Sequence, residues 1–409
     1  MSFQTGLSGL NASSQSLDVI GNNIANANTI GMKSSRAEFA DLVASTIGAG
    51  GANVSPGIGA AVGAISQQFT QGNVSITGNS LDIAVNGSGF FQLTKTDGTT
   101  AYSRNGQFKL DKDGNIVTNT GAFLMGYPTD ATGAATSNST QKLSLPTGAA
   151  IGAKGTSTVT AELNLDSRAA VATATTSPSQ YGTSVVAYDT QGNQVALSMY
   201  FVKSAADTWS AYTDLASAQA AITSGDYSTA KATMNFSTTG TLTSPTTPTT
   251  ISLTSPNANI GTFSVQLDLT KATQYGTDFA VSNLTQDGYT AGNFTGLSID
   301  SKGVISTTYS NGQTMKNGGM LALANFRNTQ GLTPTGGGEY TETFKSGAAQ
   351  LGKPTIGNYG ELRSGALEES NVDLTAELVN MMTAQRAYQA NAQTIKTQDQ
   401  IMSTLVNLR

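Results

Sequence analysis

The sequence predicts a mainly β protein with α-helical termini, a nested multidomain subunit in which two coiled-coil helices at the chain ends accompany two β domains. Three observations predict it. Residues 366–409 hold no Gly or Pro, in a chain with 45 Gly and 9 Pro, and there an apolar residue recurs every seventh position. Asn-Gly and Asp-Gly pairs recur between short apolar runs over residues 72–127, the signal of tight hairpins. Finally, aromatics thin out and Thr, Ser and Ala rise after residue 129, which marks a domain boundary.

The C-terminal seam reads Leu374, Met381, Tyr388, Ile395 and Met402, and its companion positions Leu378, Gln385, Ala392, Asp399 and Val406 are only half apolar. So narrow a stripe needs a partner helix. At the N-terminus Phe3, Leu10, Leu17 and Ile24 are also spaced by seven, with Leu7, Ser14 and Gly21 at the half-step. Small half-step residues predict close approach of another helix, and Gly21 with its neighbouring asparagines predicts fraying. The two seams predict that the chain ends meet.

Asn28-Thr-Ile-Gly31 breaks the first helix. Residues 33–43 read as a short amphipathic segment and 45–63 as a Gly-rich linker or loop, before strand-like alternation resumes over 62–69. Strands then flank Asn86-Gly87, Asp97-Gly98, Asn105-Gly106 and Asp113-Gly114. A second β unit shows in 157–165, in the hairpin 185–201 about Gln191-Gly-Asn193, and in the alternating Phe263, Val265, Leu267 and Leu269. Residues 216–230 suit a short helix, and the Thr/Pro stretch 238–256 reads as a surface loop. Residues 287–365 return to the style of 72–127. The predicted organisation is an N-terminal core helix (1–30), a connecting segment (31–71), an inner β domain in two parts (72–145 and 285–364), an outer β insertion (146–284) and a C-terminal core helix (365–409).

Composition narrows the chemistry. With neither Cys nor His, the chain lacks Ser-His-Asp triads, Cys nucleophiles and most zinc or haem ligand sets. Charged residues make up 11%, the net charge is −5, and no basic cluster occurs, which disfavours nucleic acid and anionic membrane as partners. No apolar run is long enough to span a bilayer, and the N-terminus lacks a standard secretory signal. Gly347-x4-Gly352-Lys353 imitates a phosphate loop, but Pro354 stands where Ser or Thr is needed and would interrupt the helix. Gly57-Ile-Gly59-Ala-Ala-Val-Gly63 misplaces its third Gly for a dinucleotide site, and Asp111-Lys-Asp113-Gly114 lacks the closing Glu of a calcium loop. No catalytic residue, metal or cofactor is predicted. Paired carboxylates on a secreted carbohydrate-active β protein are the remaining enzymatic alternative.

Both chain ends carry longer motifs. Ser8-Gly-Leu-Asn-Ala12, Leu17-Asp-Val-Ile-Gly-Asn-Asn-Ile-Ala-Asn-Ala-Asn28 and Gly31-Met-Lys-Ser-Ser-Arg-Ala-Glu-Phe39 resemble the N-terminus of the flagellar rod and hook axial proteins. Leu81-Asp-Ile-Ala-Val85, Asn86-Gly-Ser-Gly-Phe-Phe91 and Tyr102-Ser-Arg-Asn-Gly-Gln-Phe-Lys-Leu110 resemble internal motifs of that family. Residues 365–409 are similar to its hook branch. The resemblance implies a subunit that self-assembles into a curved tubular joint between rod and filament. It implies contact with a rod protein proximally, with a hook cap and hook–filament junction proteins, and with the flagellar export apparatus, which would carry the chain outside without a cleaved signal. A shorter, rigid distal rod protein is the alternative within the family, against which the insertion 146–284 argues. Phe3, Leu10, Leu17, Ile24, Leu374, Leu378, Met381, Tyr388, Ile395 and Met402 are the expected assembly interface. The segment 46–57 is longer and richer in Gly than expected of the family.

Overall fold

The structure, a computed structural model, describes residues 2–43, 57–146, 148 and 150–407. It is mostly strand, with helix α1 (Ser2–Ala25) near one end of the chain, a short α2 (Leu215–Ser224) in the middle and α3 (Leu374–Asn407) at the other end. Two compact units share the chain: one takes residues 1–148, 296–308 and 314–409, the other 149–295 and 309–313. Residue 284 lies within the strand Ala280–Gln286, and the second unit runs on to Thr295.

After α1 come β1 (Ser35–Val43) and β2 (Gly57–Gln67), an antiparallel pair that runs from Ser35↔Gln67 to Val43↔Gly57. The linker expected over 45–63 is thus a strand from Gly57 onward, and the amphipathic segment 33–43 is its partner. Small residues lie flat here: the β2 sequence GIGAAVGAISQ gains pairing from its backbone and support from α1. The longer Gly-rich stretch lies almost entirely outside the described residues.

The β body of the first unit begins with β3 (Val74–Ile76), β4 (Ile83–Asn86), β5 (Phe90–Thr94), β6 (Thr100–Ser103), β7 (Phe108–Leu110), β8 (Ile116–Thr118) and β9 (Phe123–Tyr127). Its main sheet has the order Thr333–Gly336, Glu339–Thr341, β6, β5, β9, β8, β7. Late strands therefore pair with early ones, as the matching style of 72–127 and 287–365 suggests. Ile83, Val85, Phe91, Leu93, Phe108 and Leu323 lie in the buried core. Turn chemistry holds at Asp97-Gly98, where Gly98 has φ 86° and its N–H donates to the Lys95 carbonyl at 3.0 Å. Asp111 is likewise a turn residue: its Oδ1 accepts the Asp113 and Asn115 N–H groups at 2.9 and 2.7 Å.

In the second unit, an antiparallel sheet of Gly182–Tyr188, Gln194–Ala205, Thr208–Tyr212, Ala232–Phe236 and Leu242–Ser244 faces a sheet ordered Thr249–Thr254, Thr262–Asp268, Thr158–Asn164, Ala280–Gln286. Phe201, Trp209 and Met234 from the first meet Val159, Ile251 and Val265 from the second in one buried core. The expected loop 238–256 is partly strand, because its β-branched threonines frame Ile251 and Leu253, both buried. Helix α2 is capped by Asp214, whose side chain accepts the Ser217 N–H, and by Gly225 at φ 71°.

Candidate assembly interface

The two terminal helices lie side by side. A Cβ built on Gly6 would meet the Ile395 Cγ1 at 3.1 Å, one on Gly9 the Asn391 Nδ2 at 2.8 Å, and the Asn23 Nδ2 donates to the Glu377 Oε1 at 3.2 Å. Rising positions on α1 meet falling positions on α3, so the pair is antiparallel. By that register Ser2 lies near Gln398, and the last turns of α3 extend past the start of α1.

The contact face of α1 differs from the expected seam. Gly6, Gly9, Ser16, Ile20 and Asn23 turn toward α3, a pattern of mostly small residues at steps of three, seven, four and three. Leu10, Leu17 and Ile24 are half-buried, and the Phe3 side chain lies outside the described residues. Gly21 has nothing within 4 Å of the position a Cβ would take, so the half-step does not provide the close approach. Nor does the helix fray at Gly21, since it runs on to Ala25. Asn23 is 1% exposed; its Nδ2 donates to the Ser35 carbonyl at 2.7 Å, and its Oδ1 accepts the Ser35 N–H at 2.9 Å. That reciprocal pair pins the last turns of α1 to β1.

On α3, Met381 and Ile395 are half-buried, whereas Leu374, Leu378, Tyr388 and Met402 are exposed. Val379, Met382 and Ile401 are exposed beside them. The hairpin covers a further side of α1: the Ala60 N–H donates to the Ser8 Oγ at 3.3 Å, and Gly59 is close enough that any Cβ would strike Ser8. Phe39, Leu42 and Ile65 of the hairpin remain exposed.

A buried ionic junction fastens this elongated part to the β body. The Lys33 Nζ lies 2.6 Å from the Glu368 Oε1, the Arg104 Nη1 lies 3.1 Å from the Glu368 Oε2, and all three side chains are at most 7% exposed. The surplus positive charge is met by carbonyl dipoles. Lys33 donates to the Thr70 carbonyl at 2.7 Å and Arg104 to the Gly87 carbonyl at 2.8 Å. Burial pushes the Lys33 ammonium and the Arg104 guanidinium below their ordinary pKa values, and Glu368 pulls both back up. Around the ions, the Asn371 Oδ1 accepts the Ser34 N–H at 2.7 Å, while its Nδ2 donates to the Gln68 carbonyl at 2.7 Å. Phe69 packs edge-on against Phe90 and Tyr340, each at 5.5 Å. Gly31, at φ 70°, lies where a Cβ would come within 2.5 Å of the Asn105 nitrogen. Periodicity missed Asn23, Lys33, Arg104, Glu368 and Asn371. The available signal was their place inside the family-like motifs, in a chain so poor in charge.

Four segments match known families: residues 3–33 the "Flagella basal body rod protein" family, 84–161 the "Flagellar hook protein FlgE/F/G D1 domain", 164–289 the "Flagellar basal body protein FlaE D2 domain" and 363–408 the "Flagellar basal body rod FlgEFG protein C-terminal" family. Over its whole length the chain is 42% identical to the flagellar hook protein FlgE of Escherichia coli strain K12, which it also covers completely. The chain belongs to the flagellar hook protein family. The hook protein of Borreliella burgdorferi is 34% identical over 100% of this chain and 99% of its own. The crystal structure of the Helicobacter pylori hook protein FlgE2 aligns with a TM-score of 0.53 at 16% identity, over 72% of this chain and all of that one, a likeness of fold. This hook-family chain is thus a structural, self-polymerising protein of the flagellum, and its full-length agreement with hook proteins answers the rod alternative.

Proposed function

We propose that this chain is the building block of a curved, flexible tube that passes torque from the flagellar rod to the filament, and that it performs no catalysis. The observation that carries the reading is the unsatisfied apolar surface of α3, where Leu374, Leu378, Val379, Met382, Tyr388, Ile401 and Met402, spread around the helix, are each at least 37% exposed. A soluble monomer does not leave so many large side chains in water along one helix. Copies packed around a common axis would bury them. Within that reading the assembly interface comprises Phe3, Leu10, Leu17, Ile24, Leu374, Leu378, Met381, Tyr388, Ile395 and Met402, joined by Gly6 and Gly9. Contacts are heterologous, as an open helical polymer requires. The rod protein, the hook cap, the junction proteins and the export apparatus are the further partners, and the working location is the cell exterior.

Electron microscopy of the purified chain under polymerising conditions tests this. Curved tubes are expected from the full chain and none after removal of residues 366–409 or 2–30. Tubes from either truncation would overturn the role of the helices.

A further inference from the structure

The β body carries one large apolar side chain wholly in water. Phe344 is 104% exposed, more than any other large apolar residue of the described chain. The backbone beneath it is well tied. The Thr343 Oγ1 donates to the Gly331 carbonyl at 2.6 Å, the Ser346 Oγ accepts the Thr343 N–H at 2.9 Å, and the Asn328 Nδ2 donates to the Lys345 carbonyl at 3.1 Å. Gly331 lets this loop come so near that any Cβ would strike Ser346. Lys345 and Arg327 line the same shallow cavity as Phe344, both exposed and without an ion-pair partner among the described residues. An exposed aromatic on a well-tied backbone, near two free cations, is built like an interface anchor, because little backbone freedom is left to lose on docking.

A complementary notch of about 420 Å³ opens between the turn after α1 and the start of α3. Ile30, Val372 and Leu374 supply its apolar wall, and Glu369 and Asp373 its acidic rim. Neither acid pairs with a cation among the described residues. The volume accommodates a phenyl ring, and the rim charges oppose those beside Phe344.

We infer that Phe344 of one copy docks into the Ile30–Val372–Leu374 notch of a neighbouring copy, with Lys345 and Arg327 against Glu369 and Asp373. A knob and an unlike hole on the same chain form a heterologous contact that propagates along a polymer. This rests on the polymer reading. If that reading fails, the parent chain forms no polymer; if the contact alone fails, the parent polymerises and so do its variants.

Because the chain has no Cys, disulfide trapping is clean. A Phe344→Cys/Ile30→Cys chain, polymerised and mildly oxidised, is expected to give a ladder of covalent multimers, whereas Phe344→Cys alone gives none. Phe344→Ala is expected to keep the parent's melting temperature and raise the critical concentration about tenfold or more, the scale of an interface anchor. Lys345→Glu should weaken assembly, and adding Glu369→Lys should restore it. Unchanged assembly of Phe344→Ala, a polymer without the ladder, or dimers from Phe344→Cys alone would overturn the contact.

Discussion

A Cβ added to Gly9 of α1 would lie 2.8 Å from the Asn391 Nδ2 of α3, nearer than side chains tolerate. The approach of the helices at this level therefore depends on the missing side chain. An alanine there is accommodated by rotation of Asn391, because only the tip of that side chain is in the way. Leucine leaves no such escape. Gly9→Leu should raise the intrinsic helicity of α1 yet weaken its pairing with α3 by about 1–3 kcal/mol through overpacking. Amide hydrogen exchange checks it: faster exchange is expected in α1 and α3, with the β units unchanged.

The Lys33–Glu368–Arg104 cluster makes a sharper prediction. Glu368→Ala strands two buried cations and should cost about 3–5 kcal/mol in the first unit. Lys33→Met removes one cation, leaves Glu368 with Arg104, and should cost less. Urea unfolding followed by circular dichroism measures both; equal losses would show that the charges do not act as one cluster.

Acid should loosen the second unit through Asp189. Burial pushes this carboxyl up, but hydrogen bonds from Ser255 and Asn193 outweigh it and hold the pKa at about 2. A folded pKa below the unfolded value adds stability that is complete above the unfolded pKa and lost as pH falls through the folded one. The urea midpoint should therefore decline between pH ~4 and pH ~2. Trp209 is the chain's single tryptophan and fully buried in that unit, so its fluorescence reports the transition. Asp189→Asn should flatten this part of the pH profile.

Leu374→Asp separates assembly from folding, and Ile395→Asp separates assembly from the folding of the β units. Leu374 is 43% exposed, so its replacement should change monomer stability by less than about 0.5 kcal/mol while abolishing polymer. Ile395 faces Gly6, and its replacement should also release α1 from α3. Normal tubes from either variant, seen by electron microscopy, would remove α3 from the interface.

The architecture was legible where local chemistry decides it. Long Gly-free periodicity announced α3, and Asp97-Gly98 or Gln191-Gly-Asn193 announced hairpins, because each depends on residues close in sequence. The pairing face of α1 was not legible: apolar periodicity points to Leu10 and Leu17, whereas close packing selects Gly6 and Gly9, which carry no hydrophobic signal. The strand Thr249–Thr254 was hidden by its threonines and by Pro245 and Pro248 just before it, and its identity comes from a partner strand. Charges are ordinarily read as solvent-facing, so Lys33, Arg104 and Glu368 gave no sign of meeting in the interior. Their separations of 335 and 264 residues put that meeting beyond any local pattern.

Those separations also set an order of events. A chain emerging N-terminus first, from a ribosome or a narrow conduit, presents Lys33 and Arg104 long before Glu368 exists beside them. Until then the two cations stay hydrated and the segments bearing them gain little by docking. Loop closure over such a span is slow relative to local hairpins. The junction thus works as a completion check: the first unit cannot lock until nine-tenths of the chain has arrived, and an unfinished subunit remains pliable and threadable.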